Sequence, residues 1–357
     1  MRPTKTLLLY VAFILYASFY PLQFDGARWQ AAMQRPVLSW LFFIPSGMGD
    51  IVANVVAYIP IGLLLRLCLR EGFKNFAITV AAGSLLSLMV EILQNATTHR
   101  DPSYIDVETN TFGTFAGALI ATWFRKPLLK AKFLPRVALA QAVLLGLWIA
   151  MHALPLVPAL EMYTIRRSLA GLDTFRFTIE GLLRWTASYL IFAELIRAIA
   201  PPKRFLLWFA GALGTTYACR LVIQSQILEW NEVLGTLIAL PLILIAPRTG
   251  KPAWIVLLVL IAGAGLAPFR FDALERQPFY WLQFETYAQL AQKMLLAIGA
   301  TWVGYRAGLN RFAAGLAAAT VLFAVEYGQA HMSPATRVPE YADPLLALSA
   351  ILILERK

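Results

Sequence analysis

Cysteine, histidine and charged residues are scarce in this chain. Two cysteines and three histidines occur among 357 residues, and their spacing fits neither a disulfide framework nor a metal site, so we predict no metal and no cofactor. Charged residues make up 14% of the chain and hydrophobic residues 59%, whereas soluble domains contain about 25% charged residues. This composition excludes a soluble enzyme with an ordinary charged surface and predicts an integral membrane protein.

Apolar segments recur along the whole chain. A transmembrane helix needs about 20 mostly apolar residues, and on that measure we find about twelve candidate spans. Their centres lie near residues 14, 61, 85, 116, 145, 190, 215, 239, 260, 297, 321 and 348. We therefore predict an all-α polytopic membrane protein with about twelve transmembrane helices. Cys68 and Cys219 lie inside such segments, where we interpret both as small core residues.

The distribution of basic residues favours one orientation. If the N-terminus lies in the cytoplasm, most Lys and Arg residues, including Arg125, Lys126 and Lys130, fall on the cytoplasmic side and most acids on the outer side. The positive-inside rule selects this topology. The net charge of +11 then follows from orientation, so we expect no nucleic-acid partner.

A short polar motif, RxPxYxD, occurs twice. It reads RDPSYID from Arg100 to Asp106 and RVPEYAD from Arg337 to Asp343. Each copy follows an ExxQ segment, Glu91 to Gln94 and Glu326 to Gln329. In the orientation chosen above, both copies lie on the outer face of the membrane.

A second pair of similar segments indicates an internal repeat. Tyr20 to Gln30 reads YPLQFDGARWQ and Ala267 to Gln277 reads APFRFDALERQ. We predict three parallel four-helix repeats, residues 1–126, 133–248 and 252–357. An even number of spans keeps every repeat in the same orientation, which predicts a pseudo-threefold bundle.

Two polar stripes are predicted to face each other in the first repeat. Spacings of three and four residues place each stripe on one face of its helix. The stripe of the third helix is Ser84, Ser87, Glu91 and Gln94, and that of the fourth is Asp106, Asn110, Gly113 and Gly117. Small residues would let the two helices approach, and the polar side chains would bond across the contact.

Ionisable residues inside the predicted spans are the candidate site. A carboxylate within a span is costly and is usually paired or functional, which singles out Glu91 and Glu326. Candidate partners at similar depth are Asn54, Arg184, Arg220 and Lys293. Two interpretations remain open: the acids and bases neutralise one another as a structural network, or the bases leave a pocket for an anionic headgroup.

The RxPxYxD motif also allows two interpretations. As a structured hairpin, its proline ends helical geometry, its tyrosine suits the membrane interface and its aspartate caps the next helix. As a ligand-binding rim, it brings Arg100 and Arg337 close to the nearby acids. The full set of candidate ligand-binding residues is Asn54, Glu91, Gln94, Arg100, Asp106, Asn110, Arg184, Arg220, Lys293, Glu326, Gln329, Arg337 and Asp343.

The first repeat resembles the VanZ-like membrane proteins. The resemblance rests on NVVAYIPIGLLL at 54–65, the ExxQ segment at 91–94 and HRDPSYIDVETNTFGTFAG at 99–117. It implies a bacterial cell-envelope protein of the inner (cytoplasmic) membrane, of a family whose namesake is linked to teicoplanin resistance.

The other two repeats depart from the family pattern, which includes an N-x-x-x-F/Y-x-P-x-G helix, an E-x-x-Q helix and an N-x-x-G helix. The third has Ala347 where the pattern has an asparagine, and it lacks the PxG of the second helix. The second has Leu221 where glutamate is expected, and Asn231 follows Gln224 so closely that we expect no outer hairpin loop.

Three functions follow as alternatives. The first is a non-catalytic protein that binds, or alters access to, an anionic lipid-linked envelope molecule or a glycopeptide at the outer leaflet. The second is a membrane-embedded enzyme acting on such a lipid, with Glu91 as general acid or base. The third is a transporter or flippase. The expected partner is a membrane lipid or a lipid-linked glycan precursor.

Overall fold

The computed structural model of this chain is helical, and its described residues contain two isolated β-bridges but no strand. The structure describes residues 3–20, 22–36, 41, 47–98, 101–130, 137–245, 250–267, 269, 280–282, 286–331 and 339–354. The chain divides into two compact units. The first comprises Met1–Phe133 and Leu156–Ile165, and the second Leu134–Pro155 and Arg166–Lys357.

Long apolar helices dominate the first compact unit. Its helices are α1 (Pro3–Phe19), α2 (Gly26–Met33), α3 (Met48–Cys68), α4 (Phe73–Gln94), α5 (Tyr104–Trp123) and α6 (Arg125–Lys130). The short helix α2 begins after Asp25, whose Oδ1 accepts a hydrogen bond from the Ala27 N–H at 2.8 Å. This side-chain cap satisfies a backbone donor that would otherwise be left without a partner at the helix start.

The second compact unit contains the remaining long helices. The short helix α8 (Met162–Leu169) is divided between the two units, because the boundary falls between Ile165 and Arg166. The others are α7 (Leu139–Ala153), α9 (Ile179–Ile199), α10 (Phe205–Val222), α11 (Trp230–Ile245), α12 (Lys251–Leu266), α13 (Tyr287–Arg306), α14 (Arg311–Gln329) and α15 (Ala342–Ser349). The prediction of an all-α membrane protein is thus confirmed at the level of helices, since every predicted span centre lies within one of them.

Four segments of the described residues are long and apolar enough to cross a membrane. They are Met48–Cys68, Phe73–Gln94, Pro202–Val222 and Arg311–Gln329. Five shorter apolar helices of the described residues accompany them: Pro3–Phe19, Leu139–Ala153, Trp230–Ile245, Lys251–Leu266 and Ala342–Leu352. The total of about twelve spans stays a prediction.

Helix α5 packs its glycine stripe on α3. A Cβ added to Gly113 or Gly117 would collide with the carbonyl oxygen of Val55 or Ile59, and one added to Gly62 with that of Thr114. The prediction that these two glycines face α4 is therefore wrong. Because residues without a side chain permit the closest backbone approach, the stripe marks the tightest helix contact, and that contact is with α3.

The core of the second compact unit lies around α9. Its buried side chains include Trp185, Tyr189 and Ile191, and Ile191 packs on Gly299 of α13. One continuous cluster of buried residues thus includes side chains from both the second and the third predicted repeats.

Candidate functional site

The glutamate of the first ExxQ segment holds the hairpin that follows it. Glu91 lies near the end of α4, 3% exposed. Its Oε2 accepts a hydrogen bond from the backbone N–H of Ser103 at 2.8 Å. Ser103 is the N-cap residue of α5, so the carboxylate also lies where the helix dipole favours a negative charge.

The second copy of the motif makes the same contact. Oε2 of Glu326, near the end of α14, accepts a hydrogen bond from the Glu340 N–H at 2.6 Å. Glu340 and Ser103 both follow the proline of their RxPxYxD copies. The ExxQ glutamate and the motif that follows therefore act together as a hairpin clasp, in which the carboxylate binds the chain just after the proline.

The glutamine of each ExxQ segment binds the end of an earlier helix. Gln94 Nε2 donates to the Ser18 carbonyl at 3.2 Å, and Gln329 Nε2 donates to the Gly265 carbonyl at 3.0 Å. Ser18 and Gly265 are the penultimate residues of α1 and α12. An orphan carbonyl at a helix C-terminus needs such a donor, which explains why glutamine suits this position.

Three buried polar groups near Glu91 make no hydrogen bond within the described part of the chain. They are the Tyr58 hydroxyl, the Ser103 hydroxyl and Oδ1 of Asn110, in residues that are 3%, 4% and 4% exposed. Asn110 donates through Nδ2 to Ser87 Oγ at 2.9 Å, so only one end of its amide is bonded. Tyr58 lies beside Ser87, with the carboxylates of Glu91 and Asp106 near its hydroxyl.

These unpartnered groups are costly in a protein interior. A buried polar group without a hydrogen bond costs about 1–3 kcal/mol, and native structures contain few of them. These three lie together near the middle of α3, the C-terminal end of α4 and the N-terminal end of α5. We call Tyr58, Glu91, Ser103, Asp106 and Asn110 the polar cluster.

Two arginines, Arg28 of α2 and Arg35 shortly after it, bind the hairpin beside the polar cluster. Arg28 donates to the Thr97 carbonyl at 2.5 Å and pairs with Asp101 at 3.0 Å. Arg35, two residues beyond the end of α2, donates to Asn95 Oδ1 at 3.1 Å. The sequence predicts a role for neither arginine, because no charge pattern in this short segment sets them apart from other basic residues.

The three bases predicted inside the membrane are each paired with an acid. Arg184 pairs with Glu180 and Lys293 with Glu340, and Arg220 lies 2.6 Å from Glu232. This arrangement favours the structural-network interpretation for these three bases. The arginines of the motif are the remaining candidates for binding an anion, but Arg100 and Arg337 lie outside the described residues.

A buried charged cluster in the second compact unit surrounds Arg220, and the sequence did not predict its other members. Glu232 has no exposed surface, and its carboxylate accepts hydrogen bonds from Arg220 at 2.6 Å and from the Tyr189 hydroxyl at 3.1 Å. His152 Nε2 lies 3.3 Å from the same carboxylate, without hydrogen-bond alignment. Arg220 also binds Gln226. We call Glu232, Arg220, His152 and Tyr189 the buried charge cluster.

The predicted cap of the helix after the motif needs a correction. Asp106 lies in the first turn of α5, whose N-cap is Ser103, and Asp343 lies in the first turn of α15, whose N-cap is Tyr341. Glu232 lies likewise in the first turn of α11. The acids therefore suit the helix dipole, but they are not the N-cap residues, because the helix begins earlier than the motif predicts.

The second predicted repeat does have a hairpin, contrary to expectation. Residues 223–229 connect α10 to α11, and Gln226 in this loop donates to the Leu154 carbonyl near the end of α7. Gln226, two residues beyond the predicted Gln224, thus makes a contact like those of Gln94 and Gln329. The prediction failed because α10 ends at Val222, before Gln224, which leaves residues 223–229 for the loop.

The remaining candidate in the first unit is Asn54. It lies on α3, one turn before Tyr58, and is half-buried. The structure therefore brings Glu91, Asp106 and Asn110 together and places Asn54 on the adjoining turn.

The comparisons with known proteins identify the first part of the chain. Residues 7–125 match the family model described as VanZ/LLP1. The match covers about a third of the chain and includes the whole polar cluster. No curated protein sequence and no solved structure matches the chain.

Proposed function

Because residues 7–125 form a VanZ-like domain, we propose that this membrane protein binds an anionic, lipid-linked envelope molecule at the outer leaflet. The domain and the apolar helices indicate a membrane protein of the cell-envelope, antibiotic-resistance type. We further propose that the protein lies in the bacterial inner membrane, with its N-terminus in the cytoplasm and the motif hairpins on the outer face.

The unpartnered groups of the polar cluster carry the proposal. Two hydroxyls and an amide oxygen, all buried, are suited to the hydroxyl groups of a sugar, which donate and accept hydrogen bonds. Arg100 lies in the adjoining hairpin sequence, where a guanidinium can bind a phosphate or pyrophosphate in bidentate geometry. A polyprenyl pyrophosphate that carries a glycan combines both chemistries with an apolar chain.

We propose that the chain contains three repeats of this unit. The clasp contacts of the two motif copies support the proposal, as does a backbone feature. The residue after Pro21, Pro155 and Pro268 has a positive φ in each case: 64° at Leu22, 65° at Leu156 and 63° at Phe269. Residues other than glycine rarely adopt this conformation, so its recurrence after a proline favours a common origin.

The first motif copy is better equipped for a ligand than the second. In the second copy, Glu340 replaces Ser103 and forms an ion pair with Lys293. Ala347 stands where the first copy has Asn110. The third repeat therefore satisfies part of its polar surface internally, which favours residues 1–126 as the binding unit.

A pair of tyrosine variants tests the proposal. The Tyr58 hydroxyl lies beside Ser87 but makes no hydrogen bond of normal geometry in the described part of the structure. Tyr58→Phe should therefore leave the midpoint temperature of unfolding in mild detergent unchanged or raise it. Because the same hydroxyl is proposed to bind the ligand, retention of a polyprenyl-pyrophosphate-linked glycan, measured by native mass spectrometry, should fall about tenfold.

Tyr10→Phe is the matched control. The Tyr10 hydroxyl donates to the Ala57 carbonyl at 3.0 Å, so its removal should lower stability by about 0.5–1.5 kcal/mol and leave lipid retention unchanged. Equal retention by wild type and Tyr58→Phe would argue against the site. A change in the mass of the bound lipid would favour an enzyme with Glu91 as acid or base, and lipid movement across proteoliposomes would favour a transporter.

A further inference from the structure

A cavity lies in the VanZ-like domain, away from the polar cluster. It is formed where α3 ends, α4 begins and α5 ends, whereas the polar cluster lies at the other end of α4 and α5. The cavity has a volume of about 490 Å³, within the range of small-molecule sites. Its lining residues are Arg66, Glu71, Gly72, Phe73, Phe76, Phe115, Leu119, Thr122 and Arg125.

One wall of this cavity contains a buried guanidinium. Arg66 is 2% exposed and donates through Nε to Thr122 Oγ1 at 3.2 Å and through Nη1 to the Arg70 carbonyl at 2.7 Å. Within the residues that the structure describes, Nη2 makes no hydrogen bond and no carboxylate lies within 4 Å of the guanidinium. A buried charge without a counter-ion is costly, so an anion in the cavity would stabilise it.

The second arginine of the cavity has a structural role. Arg125 donates to the carbonyls of Arg66, Leu67 and Leu69, which lie at the C-terminal end of α3. Its Nε lies 3.6 Å from Glu71, whose side chain is 74% exposed. Arg125 therefore fixes the wall that holds Arg66 and adds a positive charge that a solvated carboxylate offsets only weakly.

The opposite side of the cavity is apolar and aromatic. Phe76 and Phe115 pack edge to face, with ring centroids 5.6 Å apart, and Leu119 lies one turn beyond Phe115. Phe73, at the start of α4, is 86% exposed. A free inorganic anion would leave the apolar surface that faces the cavity uncovered, whereas an acyl chain would cover it.

From this combination we propose that the cavity binds an anionic phosphate-bearing amphiphile, such as an anionic phospholipid. The phosphate group accepts hydrogen bonds from Arg66, and the acyl chains pack on Phe76, Phe115 and Leu119. In the predicted orientation, the cavity faces the cytoplasmic leaflet, where anionic headgroups are attracted to basic side chains. The site is independent of the proposed outer ligand.

The test uses the full chain in an uncharged detergent. The dissociation constant of dihexanoyl-phosphatidylglycerol is measured by native mass spectrometry, with dihexanoyl-phosphatidylcholine and inorganic phosphate as comparison probes. Phosphatidylglycerol should bind at least about tenfold more tightly than either, because only it combines net negative charge with acyl chains.

Two variants locate the binding, and two others are controls. Arg66→Gln should weaken phosphatidylglycerol binding about tenfold or more, and Leu119→Trp should do the same by filling the cavity without removing a charge. Arg70→Gln is the matched control, because Arg70 is exposed and does not line the cavity; its effect should stay within about twofold. Tyr58→Phe should have no effect on this site.

Several results would overturn the proposal. Equal affinity for phosphatidylcholine would remove the anion requirement, and equal affinity for inorganic phosphate would remove the lipid. If Leu119→Trp binds phosphatidylglycerol like wild type, the cavity is not the site, even if Arg66→Gln fails to fold. Equal losses in Arg66→Gln and Arg70→Gln would indicate diffuse attraction to the basic surface.

Discussion

Replacing Arg220 by methionine should lower the free energy of unfolding by about 3–5 kcal/mol, because it leaves the Glu232 carboxylate buried without its cation. The carboxylate has no exposed surface, so water cannot take the place of the guanidinium. The loss is measured by thermal unfolding in mild detergent. Near-ultraviolet circular dichroism reports the region directly, since the Trp185 ring lies against Arg220 and the Tyr189 hydroxyl donates to Glu232.

The double variant Arg220→Met/Glu232→Met is the control. It removes both charges together, so it should be more stable than Arg220→Met alone. If the double variant is no more stable than the single one, Arg220 stabilises the fold through packing or through Gln226, and its ion pair with Glu232 does not. The exposed pair Arg28 and Asp101 should contribute no more than about 1 kcal/mol in the same assay.

Gly117→Ala should destabilise the VanZ-like domain by about 1–3 kcal/mol or more, because the added methyl group collides with the Ile59 carbonyl. The backbones of α3 and α5 would have to separate to accommodate it. Thermal unfolding in detergent measures the loss.

Gly146→Ala is the matched control. Gly146 is an exposed residue of α7 with nothing within 4 Å of an added Cβ, so the substitution should stabilise that helix by about 0.5–1 kcal/mol. Similar effects of the two substitutions would mean that α3 and α5 are not in backbone contact at Gly117.

The sequence predicts the helices well and their contacts poorly. Apolar segments of span length are a strong signal, and each predicted centre lies in a helix. The partner of a glycine stripe leaves no such signal, because a small residue suits any neighbouring helix. The glycine spacing therefore predicts a contact of Gly113 with α4, whereas in the structure Gly113 packs against α3.

Part of the site was also predictable. The duplicated ExxQ and RxPxYxD segments indicate a shared structure. The three-dimensional structure adds the hydrogen bond that both copies make, from the N–H after the proline to the ExxQ carboxylate. Glu232 could have been found by its place in the first turn of the helix, which Asp106 and Asp343 share. The pair of Glu180 and Arg184 has the i, i+4 spacing of a helix salt bridge and could have been found from the sequence, whereas Lys293 and Glu340 lie far apart in the chain.

The twice-used motif has one structural role that both copies share. Each ExxQ glutamate fixes a hairpin, and each glutamine fixes the end of an earlier helix. In the first copy, this framework positions two hydroxyls and an amide oxygen that lack partners, whereas in the second copy Lys293 pairs with Oε1 of Glu340 and Oε2 of that carboxylate makes no hydrogen bond within the described residues. The proposed function follows from this difference, because a duplicated framework can retain its structure while only one copy retains a binding site.

The most direct test of the proposed function is whether the motif arginines retain the lipid. Native mass spectrometry of wild type and of Arg100→Ala/Arg337→Ala, each with a polyprenyl-pyrophosphate-linked glycan, measures this. Arg166→Ala/Arg167→Ala is the matched control, because it removes two exposed arginines outside the motif. Retention by wild type and by the control, with loss in Arg100→Ala/Arg337→Ala, is the expected result. Equal retention by all three proteins, or by none, would contradict a ligand site at the motif hairpins.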